Sequence, residues 1–189
     1  MNAKTLVLAI WNLIDPIYFR CSRLQNVGDS GTVRNILRVR LSTYRGKNIT
    51  LSDGTDINRG DILVKIHLHN VELLRNMLYI NNEVVKGKLI YRRMEASLPK
   101  LAEYVINHPK ADRIKAVMGI SMLGKGSQFL GFETHPLTSH YYKVLKWLMQ
   151  FALYALFVSQ PYKSFRRQSI RYLMMSKRTL LERYSPSTQ

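Results

Sequence analysis

Apolar and polar residues alternate most clearly over residues 62–69. The apolar positions fall on one face of an extended chain and are Ile62, Val64, Ile66 and Leu68. The polar positions fall on the other face and are Lys65, His67 and His69. This period of two predicts a strand with one face in the core and the other available to a partner.

A second alternating segment lies upstream, at residues 33–44. From Leu37 onward its apolar residues oppose Arg38, Arg40 and Ser42. Turn residues at 46–48 and 53–54 enclose a short apolar stretch at 49–51. The pattern predicts a meander of three strands joined by tight turns.

Downstream, residues 114–123 are short and rich in apolar side chains, which is typical of a buried strand. The glycines at 124–127 turn the chain, and residues 128–135 are expected to return as a strand. We expect this pair to join the first meander in one sheet.

Helical spacing appears in several other segments. Residues 71–78 follow Asn70, a favourable N-cap residue. A longer helix is expected at 89–107, although Pro99 favours an alternative start near Ser97. Residues 3–14 predict an uncleaved apolar helix that either packs on the core or lies at a bilayer surface.

The C-terminal part predicts two helices. Residues 140–160 contain the apolar run WLMQFALYALFV, whose length is below the roughly 18–20 residues that a membrane span needs. Pro161 ends this helix, and residues 164–184 have an amphipathic pattern with arginines on the polar side. The expected fold is therefore α+β: a small mixed or antiparallel sheet covered by helices, with a C-terminal basic amphipathic helical pair. We expect one domain, 1–189, with a core at 33–140 and a helical extension at 141–184.

Charge adds a preference for anionic partners. The 189 residues include 29 Lys and Arg against 12 Asp and Glu, a formal net charge of +17. Such a balance favours phosphates, nucleic acid or an acidic membrane leaflet as partners. The single cysteine, Cys21, has no intrachain partner for a disulfide, which favours a cytoplasmic or cytoplasm-facing location.

Basic and aromatic residues coincide near the C-terminus. From residue 141 to 189 there are nine Lys and Arg against one Glu. We expect the two helices to lie at the inner face of the membrane as a peripheral element that binds anionic lipid. The candidate lipid- or anion-binding residues are Lys143, Lys146, Arg166, Arg167, Arg171, Lys177 and Arg178. The alternative is that both helices cover the sheet and the cations are merely solvated.

Histidines and a glutamate suggest a metal site. Each of two predicted strands carries two polar side chains that are two residues apart and share a face. If the strands were adjacent, four ligands could converge on Zn²⁺, namely His67, His69, Glu133 and His135. The alternative is that they are ordinary surface residues. No nucleophile elbow or informative carboxylate pair occurs, and we assign no catalytic residue.

Three segments resemble the YkoP-like domain of bacilli and related Firmicutes: DGTDINRGDILVKIHLHN, LPKLAEYV and KAVMGISMLGKGSQFLGFE. The likeness covers roughly residues 33–140. The family has no established activity to carry over. Similar domains occur alone or attached to polysaccharide deacetylase domains, which implies work near cell-envelope polymers. This chain lacks the deacetylase motifs, such as a TFDDG-like strand end with an HxxxH helix.

These observations favour an accessory protein that binds anionic lipid or a phosphorylated polysaccharide precursor at the cytoplasmic membrane surface. A metal-dependent hydrolase acting on an envelope glycan is the first alternative. Nucleic-acid binding is the second, although no helix-turn-helix, RNP or KH pattern is present.

Overall fold

A mixed sheet of six strands organises the part of the chain that the structure describes. The computed structural model describes residues 15–17, 19–28, 35–69, 72–73, 77, 80, 82–121, 126–137 and 170–185. In chain order the strands are β1 (Gln25–Asn26), β2 (Leu37–Thr43), β3 (Ile49–Thr50), β4 (Asp56–Ile57), β5 (Ile62–Leu68), β6 (Ile114–Ser121), β7 (Glu133–Pro136) and β8 (Arg171–Ser176). The helices whose full extent is described are α1 (Glu83–Asn107) and α2 (Lys177–Tyr184), and 3-10 turns span Ala111–Arg113 and Ser127–Leu130. Residues 15–17, 19–21, 72–73 and 77 are also helical. The expected α+β fold class is confirmed.

The strand order in the large sheet is β1-β2-β5-β6-β8-β7. β5 and β6 are parallel, and every other neighbouring pair is antiparallel. Parallel neighbours require a long crossover connection, usually helical, and α1 lies in the connection between β5 and β6. The last strand in the chain, β8, therefore lies inside the sheet between β6 and β7.

The predicted meander is wrong in its middle strand. β2 pairs directly with β5 over their full lengths, from Leu37 opposite Leu68 to Thr43 opposite Ile62. β3 and β4 instead form a separate two-stranded sheet. The reason is the turn at Asp53 and Gly54, where the Leu51 amide donates to the Thr55 carbonyl and closes a local hairpin.

Helix α1 begins earlier than expected. The Asn82 side chain accepts hydrogen bonds from the Val84 and Val85 amides, so it caps a helix that starts at Glu83 rather than near 89 or Ser97. Pro99 lies inside the helix. Its lost hydrogen bond is offset by burial of the apolar stripe Met94, Leu98, Leu101, Ala102 and Val105.

The predicted amphipathic helix at 164–184 is replaced by a strand over 171–176. Leu173 and Met175 of β8 point to the α1 side of the sheet, whereas Met174 joins the core on the opposite side. Both faces of β8 are thus apolar, so the alternation that marks a strand is absent from the sequence. A C-terminal helix is present, but it begins only after the Ser176 cap. The predicted helix at 140–160, the segment 3–14 and residues 164–169 lie outside the described residues.

The strand predicted at 128–135 is shorter than expected. Its first half is the 3-10 turn Ser127–Leu130, and only Glu133–Pro136 is extended. It pairs with β8 rather than with β6, although both belong to the same sheet, as expected. In the segment 71–78, Leu73 and Met77 are helical and buried, and the other positions lie outside the described residues except Glu72, which is helical.

The two faces of the sheet differ in what they contact. α1 and Leu180 of α2 pack on one face and form the main core with the side chains that alternate toward them. On the other face, a second core lies under the β3-β4 hairpin and consists of Tyr44, Leu51, Ile57, Leu63, Ala116, Met118 and Met174. Lys65, on the face that the sequence predicts to be available to a partner, is only 6% exposed.

Two glycines test this packing in opposite directions. A Cβ at Gly46 would lie 2.3 Å from the Tyr44 hydroxyl, and the Tyr44 ring is buried in the second core. We expect Gly46→Ala to lower the free energy of unfolding by about 1–3 kcal/mol.

Gly87 is an exposed residue of α1 with no atom within 4 Å of a built Cβ. Gly87→Ala should raise the free energy of unfolding by about 0.5–1 kcal/mol. Urea denaturation followed by circular dichroism measures both, and equal effects would contradict the packing described.

Candidate functional site

The face of the sheet opposite α1 carries an unusual number of polar side chains. The pairing register places them together: Arg38 lies opposite His67, Arg40 opposite Lys65, and His135 opposite Tyr172. We call this surface the polar face, and it consists of Arg38, Arg40, Lys65, His67, Tyr172, Glu133 and His135. Two strands, β6 and β8, separate its basic half on β2 and β5 from its acidic half on β7.

The basic half of the polar face consists of Arg38, Arg40, Lys65 and His67. Both of its cross-strand pairs join basic residues directly opposite one another. Arg38 is 8% exposed and Lys65 is 6% exposed, so water screens these charges poorly. Arg40 and Lys65 carry like charges directly opposite each other, and such a pair destabilises a sheet. The arrangement therefore calls for anions nearby.

Asp15 supplies one such anion. Its carboxylate accepts two hydrogen bonds from Arg38, from Nη1 and Nη2, each at 2.7 Å. Asp15 also lies 3.6 Å from Nε2 of His69, and the Arg38 guanidinium stacks over the Phe19 ring at 4.8 Å. A bidentate pair of this kind is strong and directional. It fixes the segment around Asp15 on β2 and neutralises Arg38.

Arg40 has no such carboxylate within the described part of the chain. Its Nη1 donates to the Ser22 carbonyl at 3.2 Å, and its Nε is buried without a hydrogen-bond partner. The Nε of Arg38 is likewise buried and unpaired. The large majority of buried polar groups in proteins have a hydrogen-bond partner, so these unpaired donors call for an explanation.

The acidic half of the polar face consists of Glu133 and His135 on β7. Glu133 accepts a hydrogen bond from the Ser52 amide at 2.8 Å through Oε1, and its Oε2 lies 3.6 Å from Nε2 of His135. The carboxylate thus ties the β3-β4 hairpin to the edge strand β7.

The four predicted zinc ligands do not come together. His67 is on β5 and His69 directly follows it, whereas Glu133 and His135 are on β7. Three interstrand spacings, about 14 Å in total, separate these strands. Among the described residues no group of three or more His, Cys, Asp or Glu side chains could hold a metal ion. The hypothesis of a zinc site requires adjacent strands, and β5 and β7 are not adjacent.

Only three of the seven predicted lipid-binding cations lie among the described residues. Lys143, Lys146, Arg166 and Arg167 lie outside the described residues. Arg171 is exposed at the first residue of β8. Lys177 and Arg178 follow the opposite end of that strand, about 20 Å away. Lys177 donates to the Ala111 carbonyl at 2.9 Å, and Arg178 pairs with Glu182 at 2.9 Å. These three residues do not form one surface among themselves.

A polar junction at Asp53 holds the hairpin on β8. The Asp53 carboxylate accepts hydrogen bonds from the Ser176 hydroxyl, the Thr179 hydroxyl and the Thr55 amide. Burial raises the pKa of Asp53, but the hydrogen bonds from Ser176, Thr55 and Thr179 outweigh burial, and the pKa is lowered. Ser176 in turn caps α2 by accepting from the Thr179 amide.

Sequence reasoning missed several of these residues. Arg38 and Arg40 were placed on the polar side of a predicted strand, but nothing in the sequence showed that they oppose Lys65 and His67. The signal that could have found them is the pair of alternating segments, each with basic residues on its polar side. Asp15 and Asp53 carry no local signal for their distant partners.

The fold and the polar face define an α+β domain with a mixed sheet. One face of the sheet packs under a helix, and the other carries both the second core and the basic side chains. A family model described as the YkoP domain matches residues 4–184. An uncharacterised protein of Bacillus subtilis (strain 168), YkoP, is 39% identical over 181 residues, which covers 96% of this chain and 97% of that protein. The chain belongs to the YkoP domain family. No solved structure matches it.

The structure also bears on membrane insertion. In the ranges that are described, no helix combines the length and the apolar character that crossing a bilayer requires.

The Asp53 junction makes the free energy of unfolding depend on pH. Because the pKa of Asp53 is lowered from 3.8 in the fold, its stabilising contribution is complete above that value and is lost as the pH falls through the lower folded value. We expect Asp53→Asn to lower the free energy of unfolding by about 1–2 kcal/mol at neutral pH, with the deficit shrinking below pH 3.8. Urea denaturation at several pH values measures this. Asp112→Asn, which removes an exposed carboxylate, is the control. A deficit that stays constant in acid would contradict the role of the Asp53 charge.

Proposed function

We propose that this protein is a non-catalytic accessory protein of the cell envelope. In this proposal it binds a phosphate-bearing compound, either an anionic lipid headgroup or a phosphorylated polysaccharide precursor, at the cytoplasmic membrane surface. The observation that carries the proposal is the basic half of the polar face, where Arg40 lies opposite Lys65 and has no carboxylate partner among the described residues.

The chemistry of the cations supports a phosphate rather than a neutral ligand. An arginine presents a planar fork of donors that matches the oxygens of phosphate, and a lysine adds a compact charge. The whole chain has an excess of 17 positive charges over its carboxylates, which favours anionic partners. This excess also speeds the approach of any anionic ligand.

The envelope assignment rests on the resemblance of the core to domains that occur attached to polysaccharide deacetylases. It concerns the place of action and not a reaction, because the deacetylase motifs are absent from the sequence.

The alternatives receive less support from the described geometry. A metal-dependent hydrolase would use the ligands His67, His69, Glu133 and His135. These residues come from β5 and β7, and β6 and β8 lie between those two strands. Nucleic-acid binding draws on the net charge, but Arg38 and Lys65 are buried and so do not provide an exposed surface for a long polyanion.

Binding to wild-type protein tests the proposal. We expect the protein to co-sediment with phosphatidylglycerol vesicles but not with phosphatidylcholine vesicles, if the ligand is a lipid headgroup. If the ligand is a phosphorylated precursor, we expect titration calorimetry to show heat release with glucose 1-phosphate but not with glucose. Either response should weaken as salt is added, because the attraction is electrostatic.

Absence of both responses at low salt would overturn the proposal. Two other results would do so by favouring the alternatives. One is steeply salt-dependent retention of duplex DNA without either response. The other is stoichiometric zinc in untagged protein that is lost in a His67→Ala/His69→Ala variant.

A further inference from the structure

We infer that the basic half of the polar face is a recessed site for one phosphate group, contacted mainly by the Arg40 guanidinium. The ligand class is a small phosphorylated molecule, such as a sugar phosphate, rather than a bilayer surface. This inference rests on the proposed function, because it names the site and the class of ligand for the same binding activity.

The first argument is the register of the sheet. Antiparallel pairing of β2 with β5 sets Arg38 opposite His67 and Arg40 opposite Lys65. Directly opposite side chains lie about 5 Å apart at their Cβ atoms. One small anion between the two strands can therefore contact both Arg40 and Lys65.

The second argument is the incomplete neutralisation of the arginines. Both oxygens of Asp15 are taken by Arg38, at 2.7 Å each. Arg40 receives only the Ser22 carbonyl, at 3.2 Å, and its buried Nε has no acceptor. A guanidinium has five N–H donors, so Arg40 has capacity for a phosphate oxygen.

The third argument concerns access. Arg38 and Lys65 are 8% and 6% exposed, whereas Arg40 and His67 are half-buried. Headgroups in a flat bilayer cannot reach cations at that depth without being drawn out of the membrane. A phosphate on a small free molecule can approach the half-buried Arg40, which lies nearer to solvent than Arg38.

Titration calorimetry with glucose 1-phosphate tests the site. We expect Arg40→Gln to weaken the affinity about tenfold or more, because it removes a charged donor. Arg59→Gln is the matched control, since it removes the same charge from an exposed turn and should change the affinity less than about twofold. Arg40→Lys keeps the charge but loses the fork, so it should lie between wild type and Arg40→Gln.

A measurement on wild-type protein keeps the test valid if a variant does not fold. Amide shifts in ¹H–¹⁵N spectra on addition of glucose 1-phosphate should concentrate at residues 38–41 and 65–68, and shifts confined to other regions would overturn the site. Equal losses in Arg40→Gln and Arg59→Gln would overturn it while leaving the proposed function intact. Binding to phosphatidylglycerol vesicles without binding to glucose 1-phosphate would do the same. Binding to neither would refute both the function and the site.

Discussion

A guanidinium withdrawn from water must find an anion, or the fold loses several kcal/mol of solvation. The structure meets this requirement for Arg38 through Asp15, which lies 23 residues upstream and brings the segment around Phe19 onto β2. Arg40, two residues further along the same strand, receives a carbonyl only. The contrast is between an arginine that a carboxylate neutralises within the fold and one whose donors are only partly used.

Local patterns in the sequence predicted those strands whose two faces differ. β2 and β5 alternate because one face meets α1 and the other is polar, and their boundaries follow from that alternation. β6 was recognised because it is a short apolar run between turn residues. β8 was missed because Leu173, Met174 and Met175 are all buried, so period two leaves no trace in the sequence. Pro99 misled the start of α1, since tertiary packing of the neighbouring leucines outweighs the local cost of a proline.

The sequence predicted the basic residues of the candidate site but not their arrangement. Basic residues on the polar sides of two strands could be read from the sequence, but their opposition depends on which strands pair and in what register. The zinc hypothesis likewise depends on strand order: it assumes that β5 and β7 are neighbours, and two other strands lie between them. Strand order is set by contacts between residues more than 50 positions apart along the chain, such as Glu133 with the Ser52 amide, and no local pattern records them.

The interior position of β8 constrains the order of events during synthesis. β6 and β7 leave the ribosome well before residues 171–176, yet each forms its antiparallel ladder only with that last strand. Until it arrives, both present unpaired backbone groups, which are templates for association with other chains. A nascent or truncated chain that ends before β8 is therefore exposed to aggregation, because β8 joins β6 to β7 in the sheet.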